Sequence, residues 1–367
     1  MTFVRDVDEQ ASGVDEQAIA EGLNRALGPG RESFDRVSWR KLAASGWLHM
    51  LTEGPGDPAE VLARLISPME QWGAVVAPGP ILLTVAWMLP VLRSANAEQL
   101  AQEISGGLVV TATREATGVG ALPTIRAVRD PAGQDGGGWR LSGRARLVPW
   151  LPDADKVLVT ASTADHIDIL ACMRTDRAGV ARTTGETVDP GVSVGDLILD
   201  DAPAETVIGA DSTALRTAGA MYSLALDAQA VGGAAELIAR TVRYVTERFQ
   251  FGQPVGSFQA VKHRVADMLT ATEAARALLW LAAERLAARP AEPPWEDIDA
   301  SRVCSGSAFR KVAGDAIQCH GGMGFTWEQG IHRYYRRALI AGSLLGDVDA
   351  AASRLVRCGL GLPEATA

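Results

Sequence analysis

The pattern of apolar and polar residues divides the chain into three blocks, and the first block, residues 1–103, has a helical period. Its clearest apolar face is formed by Val37, Leu42, Leu48 and Leu51. The most apolar stretch, VVAPGPILLTVAWMLPVL, contains three prolines. Because proline interrupts helices, this stretch predicts a loop and a short buried helix, not a membrane span. The first block is therefore predicted to be helical.

The second block, residues 104–208, consists of short β-rich runs separated by Gly, Asp and Pro. The runs are GLVVTATRE, TIRAVRD, GWRLSGRARLVPW, DKVLVTAS, HIDILACMR and VSVGDLILDD. Short runs at regular spacing, with turn residues between them, are typical of antiparallel sandwiches and barrels. We therefore predict an antiparallel β domain.

The third block, residues 209–367, returns to a helical pattern. Asp211 or Ser212 is predicted to cap a first long helix, and Asp299 is predicted to cap the third. A final helix is predicted after Arg333. Four long helices with short connections favour a bundle. The sequence thus predicts a multi-domain α+β protein, with an N-terminal helical domain, a middle antiparallel β domain and a C-terminal four-helix bundle.

Composition and charge exclude several classes of partner. The net charge of −9 argues against a nucleic-acid groove or an anionic membrane surface as the main partner. No apolar run approaches the roughly 20 residues of a membrane span, and the acidic start lacks a signal-peptide core. We therefore expect a cytoplasmic protein. The cysteines have no metal-ligand spacing, so no metal is expected; they are Cys172, Cys304, Cys319 and Cys358.

Two segments of the third block carry the candidate chemistry. ERFQFGQPVGSFQAVKHRVADM, residues 247–268, places Arg, Gln and Phe at a turn that needs only Gly, Pro and a polar residue. AIQCHGGMGFTWEQGIHRYYRRA, residues 316–338, contains a Gly-Gly motif. Both segments resemble the acyl-CoA dehydrogenase family, and with the helical–β–helical order the resemblance covers nearly the whole chain. It implies an acyl-CoA dehydrogenase-like fold and FAD chemistry, in which a base removes the α-proton of an acyl thioester while the β-hydride passes to the flavin.

The resemblance also implies a role for each motif in binding the FAD of a neighbouring subunit. Arg248 matches the residue that reaches the pyrophosphate, and Gln250 and Phe251 line the same corner. Gln318 and the glycine pair match residues that hold the adenosine half; the pair is Gly321 and Gly322. Guanidinium groups pair with phosphate oxygens, and glycine lets a backbone approach closely. The alternative for Arg248 is a cation facing the dipole of the preceding helix.

The two places where the family carries its catalytic glutamate hold other residues here. They are Leu345, followed by Gly346, and Tyr222 on the first helix of the bundle. Leucine cannot accept a proton, and a tyrosine with a pKa near 10 is a poor base at neutral pH. Asp227 and Asp347 are the remaining candidates, and each is expected to be a solvent-facing or capping carboxylate. The histidines beside the Gly-Gly motif are expected to be interior or surface residues, not flavin contacts.

The segments that would hold the chain's own flavin are also altered. The family's strand, close to T-E-P-x-x-G-S-D, corresponds here to REATGVG, residues 114–120, of which only Glu115 matches convincingly. The second strand, usually W-I-T, is LVP, residues 147–149. Pro149 lacks a backbone donor where the family has a threonine beside the flavin ring. Residues for the chain's own flavin are therefore altered, while residues for the neighbour's flavin are retained.

This division implies the non-base-bearing subunit of a heterotetrameric acyl-CoA dehydrogenase, of the type found in actinobacterial steroid side-chain degradation. FAD would be shared at a subunit interface with a related subunit that bears the glutamate. The substrate would be an acyl-CoA from steroid side-chain or fatty-acid oxidation, and an electron-transfer flavoprotein is the candidate acceptor. Three alternatives stay open: a self-sufficient homotetramer with a displaced acid, a flavin monooxygenase on the same fold, and an acyl-CoA-binding homo-oligomer without flavin.

Overall fold

The computed structural model describes residues 32–50, 58–113, 117, 124–130, 138–165, 168–209 and 212–359. The described residues form two compact units. The helical unit contains residues 32, 58–77 and 223–359, and the sheet unit contains residues 33–50 and 78–222, with the gaps given above. The predicted domain boundaries after residues 103 and 208 stay a prediction.

The described α-helices are numbered in chain order. They are α1 (Arg36–Ala44), α2 (Trp47–Met50), α3 (Pro58–Ala74), α4 (Ile81–Leu83), α5 (Leu89–Ser94), α6 (Glu98–Ser105), α7 (Ser212–Glu247), α8 (Gln259–Ala288), α9 (Trp295–His320), α10 (Ile331–Ile340) and α11 (Val348–Gly359). The π-helical turn Thr84–Met88 connects α4 to α5. A second π-helical turn, Ala341–Leu345, follows α10. None of the described helices combines the length and the apolar composition of a membrane span.

In the sheet unit, α1 starts at a side-chain cap. The carboxylate of Asp35 accepts the backbone N–H groups of Val37 and Ser38 at 3.3 and 2.8 Å, which satisfies two of the donors that a helix start leaves open. Leu42 and Leu48 are buried as predicted, but Val37 is 60% exposed and does not belong to the buried face. Leu51 lies outside the described residues.

The apolar stretch with three prolines forms a loop followed by a short buried helix, as predicted. Its helical part runs from α4 through the turn Thr84–Met88 into α5. The N–H of Leu89 donates to the carbonyl of Thr84, five residues back. Pro90, the next residue, has no N–H with which to complete an α-helical turn. The wider π turn therefore lies directly before the proline that interrupts the ladder.

Eight strands form one sheet. They are β1 (Val110–Ala112), β2 (Ile125–Arg129), β3 (Trp139–Pro149), β4 (Lys156–Ser162), β5 (Asp168–Arg174), β6 (Val180–Arg182), β7 (Val194–Pro203) and β8 (Thr206–Ile208). The order is β6-β7-β3-β2-β4-β5-β8, and β1 pairs with β4. Most pairings are antiparallel, as predicted, but β1–β4 and β2–β4 are parallel, so the sheet is mixed. The three-residue strands β6 and β8 were not predicted.

The inward face of the sheet carries apolar residues from the predicted β-rich runs. On β4 these are Val157, Val159 and Ala161, and on β3 they include Leu141 and Ala145. On β3 the residues next to Leu141 and Ala145 are less buried, whereas on β4 Leu158 is as buried as Val157 and Val159. The β-rich runs that predicted the strands therefore supply the apolar residues of this core.

The helical unit consists of α3 and the bundle formed by α7 from residue 223 onward and α8 to α11. The helix α3 packs closely on α7 because both carry glycine at the contact. A Cβ at Gly73 would collide with the backbone of Gln229, and one at Gly232 with the backbone of Glu70. The fold is therefore the predicted helical–β–helical arrangement with a C-terminal bundle.

One predicted helix start in the bundle is wrong. The helix α9 begins at Trp295, four residues before the predicted cap Asp299. Asp299 is buried inside the first turns and accepts two hydrogen bonds from the guanidinium of Arg354, at 2.8 and 2.6 Å. Asp299 therefore joins α9 to α11 and does not cap a helix.

Candidate functional site

The first motif forms a short β-hairpin at the end of α7. Arg248 follows the last residue of the helix, and its N–H donates to the carbonyl of Tyr244 at 2.9 Å. Strands β9 (Phe249–Gln250) and β10 (Gln253–Pro254) then pair antiparallel. The two turn residues have positive φ, 52° at Phe251 and 78° at Gly252. This is the backbone of a type I′ hairpin turn, which fits the right-handed twist of the strands.

Phe251 has an unusual combination of backbone strain and exposure. Asn, Asp or Gly is the normal residue at this turn position, because a positive φ is unfavourable for a bulky side chain. Yet the aromatic side chain is 92% exposed. Its ring meets only the edge of Phe258, with centroids 6.3 Å apart, among the ring contacts of the described residues. Nothing within the described chain compensates the strain, which is typical of a residue that acts on something else.

The polar side chains of the hairpin are directed to solvent. Arg248 and Gln250 are exposed. Within the described part of the chain, the guanidinium of Arg248 makes no hydrogen bond or ion pair, even though it follows a helix end with open carbonyl groups. Arg248 therefore does not cap α7, and its five N–H donors are available to an acceptor outside this chain.

The second motif is the 3₁₀ turn Gly321–Phe325 at the end of α9. Its glycines are explained differently. Gly321 has φ 58° and ψ −137°, a conformation that side chains disfavour. A Cβ at Gly324 would lie 2.8 Å from the carbonyl oxygen of Ile317. Gly322 has neither constraint, because a Cβ there would meet no atom within 4 Å. Its lack of a side chain is not required within this chain and leaves its backbone open to a ligand.

The structure brings the two motifs together. Tyr244, in the last turn of α7, stacks on His320, the last residue of α9, with ring centroids 4.3 Å apart. His320 is buried, and its Nδ1 contacts the carbonyl of Ala316 at 2.8 Å. Burial lowers the pKa of His320. His320 is therefore the satisfied interior histidine that was expected, and the contact that joins the motifs was not predicted.

Exposed apolar side chains surround both motifs. On the hairpin, Phe249 is exposed beside Phe251; on the glycine turn and the loop after it, Met323, Phe325 and Trp327 are exposed. The face of Trp327 lies under the guanidinium of Arg336, 5.5 Å from the ring centroid. Several large apolar side chains exposed on two adjoining segments indicate a surface for interaction. In the sequence, this surface is indicated by the aromatic residues that occur in two turns containing glycine.

The bundle position of the family glutamate is closed by apolar and ion-paired groups. Leu345 is buried and ends the π turn Ala341–Leu345. The next residue, Gly346, has no room for a Cβ because the guanidinium of Arg302 lies against it. Arg302 in turn donates to the carboxylate of Asp227, which also accepts the hydroxyl of Ser301 at 2.7 Å. Both side chains of the ion pair are buried.

This geometry corrects one expectation and supports another. Asp227 is neither solvent-facing nor capping: it is fully buried and held by Arg302 and Ser301. A carboxylate held in this way is a structural ion pair and is poorly suited to accept a substrate proton. Asp347 is a cap, since its carboxylate accepts the N–H of Ala350 at 3.0 Å at the start of α11. Tyr222, the other glutamate position, is buried on α7.

In the sheet unit, the altered strand 147–149 has an irregular backbone. Leu147 lies in a bulge between β3 and β7, with φ 53°, and is partly exposed. Its N–H donates to Asp196 at 2.9 Å, which lowers the pKa of that carboxyl group. Pro149 offers only its carbonyl, and this accepts the hydroxyl of Thr111 at 2.5 Å. The other altered strand, residues 114–120, lies outside the described residues except for Thr117.

No group of His, Cys, Asp and Glu suited to a metal ion occurs among the described residues. Burial raises the pKa of Cys319, which is half-buried between Gln318 and His320. A thiol with a raised pKa is a poor nucleophile at neutral pH. Cys319 is therefore not a candidate nucleophile, and what the motifs present outward is an arginine, an open glycine backbone and aromatic side chains.

Comparison with known proteins relates this arrangement to one family. Residues 221–356 match the family model described as acyl-CoA dehydrogenase, C-terminal domain. The chain is 30% identical over 366 residues to the acyl-CoA dehydrogenase FadE27 of Mycobacterium tuberculosis, covering 94% of this chain and 92% of that protein.

Two solved structures are similar over nearly the full length. The ChsE4–ChsE5 complex of Mycobacterium tuberculosis matches with 26% identity and a TM-score of 0.78, over 95% of this chain and 98% of that one. The Tcur3481–Tcur3483 steroid ACAD matches with 28% identity and a TM-score of 0.75, over 97% and 99% of the two chains.

Proposed function

The chain belongs to the acyl-CoA dehydrogenase family of oxidoreductases, which act on CH–CH bonds, and we propose that it is the subunit that completes a partner's FAD site without supplying a catalytic base. The observation that carries the proposal is the contrast between two sets of positions. Arg248, Phe251 and Gly322 have features that the described chain does not explain. The glutamate positions Leu345 and Tyr222 hold no carboxylate and are buried.

The exposed motif residues fit the part of FAD that the family resemblance assigns to them. The free guanidinium of Arg248 suits a pyrophosphate, because its fork of donors matches phosphate oxygens and is always charged. The open backbone at Gly322, with exposed Gln318 beside it, suits the adenosine half. Bound FAD would supply the hydride acceptor for the acyl β-carbon, and a base would take the α-proton. In this proposal the partner subunit supplies that base, and this chain binds and orients the cofactor.

The chain's own flavin position fits less well. Pro149 has no N–H to donate to a flavin, and its carbonyl is already engaged by Thr111. Leu147 replaces an aromatic residue and projects from a bulge. These features favour one FAD per pair of unlike subunits over one FAD per chain.

The alternatives require groups that are otherwise engaged. A self-sufficient homotetramer needs a displaced acid, but Asp227 is held by Arg302 and Asp347 caps α11. A flavin monooxygenase needs the chain's own flavin, which Pro149 disfavours. A homo-oligomer that binds acyl-CoA without flavin would engage Arg248 with the phosphates of CoA, so it differs from the shared-site proposal in predicting a colourless protein in every combination of subunits. The shared-site proposal needs neither a free acid at Asp227 or Asp347 nor a flavin at Pro149, and it gives Arg248 an acceptor in the partner's FAD.

The two heteromeric structures suggest the biological setting of the proposal. One is a ChsE4–ChsE5 complex and the other is a steroid ACAD, both more than 25% identical to this chain. We accordingly propose an acyl-CoA thioester as substrate, from steroid side-chain oxidation in the first place and fatty-acid oxidation in the second. An electron-transfer flavoprotein is the proposed acceptor.

The proposal is tested by expressing the chain alone and together with a glutamate-bearing acyl-CoA dehydrogenase encoded beside it. Flavin absorbance and native mass are measured for each product. We expect a colourless lone chain and a yellow complex with one FAD per pair of subunits. A lone chain that retains one tightly bound FAD per subunit would overturn the shared-site proposal.

Matched variants then locate the contact. Arg248→Ala removes charge-assisted hydrogen bonds and should weaken FAD binding by the complex roughly ten- to hundredfold. The control is Arg289→Ala, since Arg289 is also exposed and directly follows a helix, α8. Gly322→Ala should weaken FAD binding with no change in the Tm of the lone chain, whereas Gly324→Ala should lower that Tm because its Cβ meets Ile317. Equal FAD affinity for the Arg248 and Arg289 variants would contradict the assignment.

A further inference from the structure

The two motif segments lie at the ends of different helices, and one contact between those ends connects them. Tyr244 precedes Arg248 by one helical turn, and the Arg248 N–H donates to the Tyr244 carbonyl. His320 immediately precedes Gly321. The phenol of Tyr244 donates to the carbonyl of His320 at 3.3 Å, and the two rings stack at an interplanar angle of 22°. Each partner of this contact is thus adjacent to one motif.

His320 is fixed in one orientation before it meets Tyr244. Its Nδ1 lies 2.8 Å from the carbonyl of Ala316, and because a carbonyl only accepts, Nδ1 carries the hydrogen. The ring is buried, and burial lowers its pKa, so the imidazole is neutral at neutral pH. Arg240, one turn before Tyr244 on α7, acts on His320 in the same direction. The surface that Tyr244 stacks on is therefore rigid and uncharged.

We infer that Tyr244 and His320 are positioning residues, which set the placement of Arg248 relative to the Gly321–Gly322 backbone so that both engage one FAD. This inference rests on the proposed function. The physical reason is that neither group is held at the end that would meet FAD: the guanidinium of Arg248 makes no hydrogen bond or ion pair within the described residues, and a Cβ at Gly322 would meet no atom within 4 Å. Two contacts made to one rigid ligand gain affinity only when their spacing is already set, because ordering on binding opposes association.

The test uses the complex of this chain with its glutamate-bearing partner. Tyr244→Phe keeps the ring and removes the hydroxyl that bonds to the His320 carbonyl. Loss of one neutral hydrogen bond from the positioning contact should weaken FAD binding roughly two- to tenfold. Tyr244→Leu also removes the stacked ring and should weaken binding further. Tyr335→Phe is the matched control, because Tyr335 lies on α10 and, within the described residues, its hydroxyl makes no hydrogen bond and its ring no aromatic contact with the hairpin or the turn Gly321–Phe325.

A double-mutant cycle separates positioning from general stability. If Tyr244 acts through Arg248, Tyr244→Phe should lose most of its effect on FAD affinity in an Arg248→Ala background. An equal effect in both backgrounds would overturn the inference, as would a lower Tm with unchanged FAD affinity. If Arg248→Ala weakens FAD binding and Tyr244→Phe does not, the positioning role fails and the proposed function stands. If Arg248→Ala itself has no effect, the proposed function fails.

Discussion

The ion pair between Asp227 and Arg302 gives the strongest prediction on stability. Asp227 is completely buried, and Arg302 is nearly so. Removing one partner of such a pair leaves an uncompensated charge in the interior, which costs about 3–5 kcal/mol. Arg302→Met should therefore lower the free energy of unfolding by about that amount and Tm by roughly 5–15 °C. Ser301 alone cannot replace the guanidinium, since it supplies one neutral hydrogen bond.

The double variant Asp227→Leu with Arg302→Met should recover most of the lost stability. Replacing both charges by apolar side chains of similar volume removes the desolvation cost along with the attraction, and is often neutral or stabilising. The assay is urea denaturation of the wild type, both single variants and the double variant. Arg174→Met is the control. Arg174 and its partner Asp176 form an exposed ion pair, so loss of this pair should leave the urea midpoint unchanged. A double variant as unstable as the singles, or a single variant as stable as the wild type, would refute the reasoning.

Two further predictions concern packing and pH. Gly232→Ala should destabilise the helical unit strongly, because its Cβ would collide with the backbone of Glu70. Gly314→Ala should instead stabilise α9 by about 0.5–1 kcal/mol, because its Cβ would meet only Tyr335, at 3.9 Å. Comparing the Tm of each variant with that of the wild type checks both predictions. Burial lowers the pKa of His320 and of His332. As pH falls below about 6.5 the unfolded chain therefore binds protons that the folded chain does not, and stability should decrease by at most about 1.4 kcal/mol per pH unit for each histidine. His320→Gln should flatten this acid slope.

The sequence predicted those elements whose signals are local. The strands β3 and β4 lie in β-rich runs bounded by turn residues, and α7 lies in a long stretch rich in apolar residues. The strands β6 and β8 have only three residues each, too few to show a period. The motif residues were identified because their composition exceeds what a turn needs.

What the sequence could not supply were contacts between residues far apart in the chain. Asp227 was expected to be exposed or capping. Its partner Arg302 lies 75 residues further along the chain, so no local pattern connects the two residues. Asp299 was taken for a cap because Asp is common at helix starts, while its partner Arg354 lies 55 residues away. Tyr244 and His320 are likewise 76 residues apart. In each case side-chain chemistry suggested a polar role, and only the fold identified the partner.

The distribution of strain and satisfaction supports the shared-site proposal independently of the family resemblance. Near Leu345 the carboxylate of Asp227 is balanced inside the chain by the guanidinium of Arg302 and accepts a further hydrogen bond from Ser301. At the hairpin, a phenylalanine is held in a left-handed conformation with its ring in solvent, next to an arginine without a partner among the described residues. The hairpin turn uses the backbone conformation of Phe251, but the exposed ring and the guanidinium of Arg248 form few contacts within the described residues. An exposed guanidinium beside an exposed aromatic ring at a strained turn supports the proposal that this corner meets a ligand that accepts hydrogen bonds and packs against the ring.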